Sequence, residues 1–225
     1  MNKIWYLSPS NQGSNKGVGN YGSEKEQMNL LLDEIIPHLD RAGISFHRAD
    51  ANMSLTDRVK ESNEMNAAFH LALHSNAGGN GTARGPEAYY YSEAGKSFGE
   101  KLISAMLALG QVNKRSSNVK QSKSLYELKA TTAPACLLEV DFHDNPDGVE
   151  FITTRRSEIA AQIAKVIIEH EGKAFVPTTN GEYIDRAIKL GLFPISTDWN
   201  AALSKEDAAI ILMRLLESIK KGVNL

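Results

Sequence analysis

Apolar and polar positions in this chain switch repeatedly between a period of two and a period near 3.6, the mark of strands alternating with helices. Residues 3–7 are aromatic and β-branched and stop at Pro9, which predicts a first strand that delivers Ser8 to Gln12 at its carboxyl end. A polar, Gly-rich loop follows to Gly22. Ser23-Glu24-Lys25-Glu26 then carries an N-cap and a capping-box glutamate ahead of Met28, Leu31, Leu32, Ile35 and Leu39, so a helix starts here with Glu24 in its first turn. Gly43 ends that helix, residues 44–48 return as a strand, and 55–66 form a second helix. Residues 69–74 are a near-continuous apolar run that ends on His74, as expected of a central strand covered on both faces. The Gly-rich segment 75–86 reads as a long exposed loop of the kind that lines a site. A strand at 87–92, a helix at 94–109, a buried strand at 133–142 and an amphipathic helix at 155–169 complete the pattern.

This order predicts an α/β fold with a twisted, mainly parallel sheet flanked by helices, whose ligands bind beyond the carboxyl ends of the strands. The predicted main domain covers 1–172, and the aperiodic stretch 173–181 reads as a linker. Residues 182–225 read as a small helical hairpin with Ile184, Ile188, Ile211, Leu212 and Leu215 on its buried stripe. That stripe is too small for a robust domain, so packing on a partner or on a second copy, as in a homodimer, is expected.

Composition narrows the function classes. The 225 residues carry a formal charge of −2 and are 42% hydrophobic and 23% charged, the balance of an ordinary globular chain. No broad charge recruits nucleic acid or an acidic membrane surface. No run approaches the roughly 18 apolar residues that span a bilayer. The start of the chain lacks the apolar stretch of a signal peptide, so synthesis and retention in the cytoplasm are expected. Cys136 is the only cysteine and sits in an apolar run, which excludes an intrachain disulfide and points to packing.

Three residues carry candidate chemistry. Glu24 opens a helix, His74 ends a central strand, and Glu139 interrupts the buried run Leu137-Leu138-Glu139-Val140. A carboxylate amid leucine and valine requires a partner or a function, and a buried ion pair stands level with catalysis at this point. Glu24 reads equally as a favourable charge at a helix N-terminus, and His74 as a satisfied strand-end histidine. Period two places Glu139, Asp141 and His143 on one face, which predicts a polar cluster there. His70 lies roughly 13 Å from His74 in an extended strand and reads as structural. Two carboxylates and an imidazole can support hydrolysis if a metal polarises the scissile carbonyl and a glutamate shuttles the proton.

Four segments in order resemble the zinc-dependent N-acetylmuramoyl-L-alanine amidases of bacterial autolysins and phage endolysins. They are Tyr6-Leu7-Ser8-Pro9-Ser10-Asn11-Gln12, Gly19-Asn20-Tyr21-Gly22-Ser23-Glu24, Leu71-Ala72-Leu73-His74-Ser75-Asn76-Ala77 and Leu138-Glu139-Val140-Asp141-Phe142-His143-Asp144-Asn145. The resemblance implies a peptidoglycan hydrolase that cuts the amide between N-acetylmuramic acid and L-alanine. It further implies Zn2+ held by Glu24 and His74, Glu139 as the catalytic glutamate, and Asn76 and Asn145 as substrate contacts. It also implies action on the cell wall after release by lysis or a holin-type route.

One position departs from the family. Most members carry a histidine where this chain has Asn11, and zinc sites are built from Cys, His, Asp and Glu. Asn11 is therefore the expected third ligand, with Gln12, His143 and His47 as alternatives. The same departure motivates a rival reading, a non-catalytic wall-binding protein on an amidase scaffold. A lysozyme-like glycosidase needs two carboxylates at a set separation and no metal, and an unrelated α/β binder finds no phosphate-binding glycine motif here. At the other end, Ala187-Ile188-Lys189-Leu190-Gly191-Leu192-Phe193 and Leu203-Ser204-Lys205-Glu206-Asp207 resemble an S-layer-homology helical motif, which implies a wall tether.

Overall fold

The computed structural model describes residues 3–111 and 118–176. The expected helical hairpin at 182–225 and most of the expected linker before it lie outside the described residues. In chain order the elements are β1 (Trp5–Pro9), α1 (Glu24–Arg41), β2 (Phe46–Arg48), α2 (Leu55–Glu64), β3 (Phe69–Asn76), β4 (Glu87–Tyr90), α3 (Glu93–Ala108), β5 (Val119–Gln121), α4 (Tyr126–Lys129), β6 (Ala135–Phe142), α5 (Pro146–Thr154) and α6 (Arg156–His170). The strands form one sheet in the order β2-β1-β3-β6-β4-β5. Only the β4–β6 pair is antiparallel, so the sheet is mixed and mainly parallel, as the alternation of strands and helices predicts.

The two faces of the sheet differ in kind. Trp5 and Leu7 of β1, Leu71 and Leu73 of β3 and Leu138 and Val140 of β6 point into the main core, under Leu31, Leu32 and Ile35 of α1, Phe98 and Leu102 of α3, and Ile159, Ile163 and Ile167 of α6. Burying each such side chain contributes about 1.5–3 kcal/mol, so this face supplies most of the stability. Cys136 sits in the same core with no exposure, and burial pushes its thiol up to about 12, so it is inert packing. The opposite face carries Tyr6, Ser8 and His70, all fully buried, and its apolar patches are small, with Ala72, Leu128 and Leu137 in one and Tyr6 and Ala49 in another. Tyr6, Ser8 and His70 therefore give this face a buried polar character.

Local signals account for the ends of the elements. The Ser23 side chain accepts the Glu26 N–H at 3.3 Å, which fixes the first turn of α1 and with it Glu24. After Ala42, Gly43 adopts φ +60°, a conformation that ends the helix at little cost only for glycine. β1 runs two residues further than its pattern predicts, because the ladder resumes after Pro9 with Ser10 N–H donating to Leu73 O at 2.9 Å. Three elements went unread in the sequence. β5 and α4 are three and four residues long, too short for any period to show. α5 begins in Asn145-Pro146-Asp147-Gly148, a string that reads as a turn, but Asn145 caps the helix and Pro146 occupies its first turn. Gly148 is required there, since a Cβ would lie 2.1 Å from Phe142 O.

Candidate active site at the carboxyl rim

The register of the sheet brings the chemistry together. His74 on β3 lies opposite Glu139 on β6, and Glu139 lies opposite Glu87 on β4, so three adjacent strands present His, Glu and Glu in one row. Just beyond His74 the register slips, because Asn76 pairs with Phe142 and β6 carries an extra residue. That bulge breaks the alternation on which the predicted Glu139, Asp141 and His143 cluster depended. Asp141, fully buried, instead binds the Arg84 guanidinium at 3.2 Å and accepts the Gly85 N–H at 2.9 Å. His143 turns to Ser75 Oγ at 2.9 Å and stacks on Tyr21 with centroids 5.6 Å apart.

Glu24 reaches the row from the first turn of α1. It is 1% exposed, and its Oε1 lies 2.6 Å from His74 Nδ1 while its Oε2 accepts Asn15 Nδ2–H at 2.7 Å. Burial works against the Glu24 charge, but the hydrogen bond and positive charge of His74, with Asn15 and Ser10, outweigh it and lower its pKa. Burial likewise opposes the His74 charge, and the Glu24 hydrogen bond with the charges of Glu139 and Glu24 raises its pKa to about 9. In the metal-free protein the two are an ion pair at neutral pH.

Glu139 is held differently. Its Oε2 is sealed from solvent and has no hydrogen-bond partner. Burial pushes its pKa up, His74 pulls it back, and Glu24 and Glu87 push it further, to about 7. A carboxyl poised near neutrality can both take and return a proton. Glu87, which sequence patterning did not single out, is 2% exposed and bonded to Lys120 Nζ at 2.7 Å, Tyr89 OH at 2.7 Å and Asn76 Nδ2 at 3.2 Å. Its only trace in the sequence is an acidic residue at the head of a short strand.

The remaining expected residues divide. Asn76 stays half-exposed at the rim, with its Oδ1 taking the Ala77 N–H. Asn145 caps α5: its Oδ1 accepts from Asp147 N and Gly148 N, and its Nδ2 donates to Gly81 O at 2.7 Å. Asp144 pins the Gly-rich loop beside the site by accepting Gly79 N–H at 2.7 Å and Gly81 N–H at 3.4 Å. Burial opposes its charge, and the backbone donors of Gly78, Gly79 and Gly81 outweigh this and lower its pKa.

Asn11 engages the backbone ahead of α2. Its Nδ2 donates to Met53 O at 2.9 Å, and the residue next to the imidazole is Gln12, whose Nε2 lies 3.4 Å from His74 Nδ1. The amide that meets the imidazole is thus one residue on from the expected Asn11. Among the described residues no three His, Cys, Asp or Glu side chains form a metal cage. Glu24 and His74 nonetheless fit zinc in donor chemistry, an imidazole nitrogen and a carboxylate oxygen already converged to 2.6 Å, with amide groups at the third corner.

A second polar network lies beneath the site on the same face. His70 Nε2 is 2.8 Å from Glu127 Oε1 and His70 Nδ1 is 3.0 Å from Ser62 Oγ, while Ser8 donates to Glu127 and Arg58 donates to Ser8 at 3.2 Å. All of these side chains are buried, so the network ties α4, β1 and β3 together and His70 is structural, as expected. Glu127→Gln, which leaves those donors facing a weaker acceptor, is expected to lower stability by about 1–3 kcal/mol in urea unfolding.

The α/β domain thus gathers an acidic–imidazole pair and a second, buried glutamate at the carboxyl rim of its sheet. The chain belongs to the N-acetylmuramoyl-L-alanine amidase family, whose family model matches residues 6–169. It is similar to the N-acetylmuramoyl-L-alanine amidase CwlM of Bacillus licheniformis, 27% identical over 154 residues, which covers 64% of this chain and 58% of that protein. The chain thus matches little more than half the length of that relative. Among solved structures it is similar to the catalytic domain of the amidase CwlV from Bacillus (Paenibacillus) polymyxa, with TM-score 0.67 and 20% identity over 76% of this chain and 98% of that one. The amidase AmiC2 of Nostoc punctiforme aligns with TM-score 0.66 and 19% identity, over 76% and 98% of the two chains. At these identities the structures show a shared fold.

Proposed function

We propose that this chain is a zinc-dependent peptidoglycan hydrolase that cleaves the amide between N-acetylmuramic acid and L-alanine. The observation that carries the reading is the row of His74 and Glu139 across β3 and β6 with Glu24 closing on His74 at 2.6 Å, in a chain of this family. Glu24 and His74 would hold the metal. Zinc so held would supply Lewis-acid polarisation of the scissile carbonyl and would acidify the attacking water. Glu139 takes the proton of the attacking water and returns it to the departing L-alanine amine. The row on β4 and β6 keeps a second carboxylate, Glu87, opposite Glu139, which favours the protonated form that this return step needs. In this reading, residues 182–225 serve as the wall tether or a self-association motif, and the working site is the cell wall.

Digestion of purified cell walls with the zinc-supplemented protein is expected to release new L-alanine amino groups without new reducing sugars. Reducing sugars alone would indicate a glycosidase. Cosedimentation with walls and no new amine would establish the non-catalytic binder instead.

A further inference from the structure

We propose that Gln12 completes the metal shell as a neutral oxygen donor, so that this chain holds its cation by glutamate, histidine and glutamine. The inference rests on the amidase reading above and concerns the corner that the sequence left to Asn11. Two histidines that sequence alone kept open are engaged elsewhere: His143 with Ser75 and Tyr21, and His47 with Glu61 at 3.1 Å on the edge strand. Asn11 faces Met53. Gln12 alone stands against the imidazole, and the loop holds it there, since its N–H donates to Ser10 Oγ at 3.2 Å and its carbonyl accepts Lys25 N–H at 3.4 Å from the first turn of α1.

The Gln12 amide occupies that corner and can present either of its polar atoms to it. With His74 Nδ1–H donating to Glu24, a Gln12 Nε2 at 3.4 Å sets donor against donor. Turning the amide over places Oε1 where Nε2 stands. That turn gives up the bond from Asn15 Nδ2 to Gln12 Oε1 at 2.8 Å and sets two N–H groups against each other on the exposed rim, so it is expected only when a cation draws the oxygen inward, while Asn15 keeps its 2.7 Å bond to Glu24. A ring of Gln12, Asn15, Glu24 and His74 therefore already surrounds the point where a cation would replace the ion pair's proton. An amide oxygen binds zinc less well than imidazole, so the site is expected to release its metal more readily than a three-ligand site built from histidine and glutamate.

The test is zinc affinity of the purified full chain by competition with a chromophoric chelator, with Co2+ absorption as a report on coordination. Gln12→Ala is expected to weaken zinc binding by roughly 10–100-fold, in the range of metal-site partners. Asn11→Ala is expected to leave affinity within about twofold, and Gln12→His to tighten it by at least about tenfold, as imidazole replaces amide oxygen. Gln12 is exposed, so coincident unfolding curves of the metal-free wild type and Gln12→Ala are expected and show that the variant folds. Unchanged affinity in Gln12→Ala, or an equal loss in Asn11→Ala, overturns the assignment. Wild-type protein that binds zinc with these variant effects yet frees no L-alanine amine supports the assignment and sinks the amidase reading alone.

Discussion

Glu139→Gln is expected to lower wall hydrolysis by about 10²–10⁴-fold, the range that a positioned general acid–base contributes, while leaving the fold intact. The substitution keeps shape and removes only the titrating proton. It should also stabilise the metal-free protein, because the wild-type carboxylate is sealed in with an unpartnered Oε2 and faces the negative charges of Glu24 and Glu87. The sign follows from the raised pKa. In the unfolded chain Glu139 ionises near its ordinary 4.5, whereas in the folded chain it holds its proton to about 7. Its contribution to stability is therefore complete below about pH 4.5 and lost as pH rises through about 7. Glutamine carries no such loss, so the stability gap between variant and wild type should widen from pH 5 to pH 7.5 and reach the order of 1–3 kcal/mol. Thermal unfolding across that range, set beside amine release from walls, reads both effects. Near wild-type hydrolysis by the variant would remove Glu139 from the mechanism.

The sequence exposed the parts of this molecule that repeat and concealed the parts that depend on register. The runs at β3 and β6, the capping box at Ser23 and the amphipathic stripes of α1 and α6 were all legible, because each encodes its burial locally. From those runs the α/β class and the carboxyl rim followed. Glu24, His74 and Glu139 were nameable one by one, but spacing could not say that β3 and β6 are neighbours or that His74 pairs with Glu139. Glu87 needed the antiparallel placement of β4, which no connection length announces. The bulge in β6 was invisible for the same reason, and it took Asp141 and His143 out of the expected cluster. That Gln12 and not Asn11 meets the His74 ring was equally hidden: a Gly-rich polar stretch has no period to say which of two adjacent amides turns to the imidazole, and the bond from Asn11 to Met53 is a contact over 42 residues.

Zinc uptake at pH 8 is expected to release about one proton per metal, and that proton comes from His74. A ligating imidazole must be neutral, yet in the metal-free protein the Glu24 hydrogen bond and the charges of Glu139 and Glu24 overcome burial and hold the His74 pKa at about 9. Glu139, at about 7, is already mostly ionised at pH 8 and contributes little to the count. Zinc affinity should therefore rise by roughly tenfold per pH unit between 7.5 and 8.5 and flatten above about 9. The metal-free fold responds in the opposite sense: a histidine with a raised folded pKa gives stability that is complete below about 6.5 and is lost as pH rises through about 9. The proton count is read from titration calorimetry in buffers of different ionisation enthalpy. Glu24→Gln provides the decisive contrast, because it removes both the acceptor that keeps His74 charged and one metal ligand. In that variant zinc should bind more weakly and the count at pH 8 should fall well below one. A count near one that survives Glu24→Gln would mean that the proton resides elsewhere, and that the 2.6 Å pair is a structural contact and not the floor of a metal site.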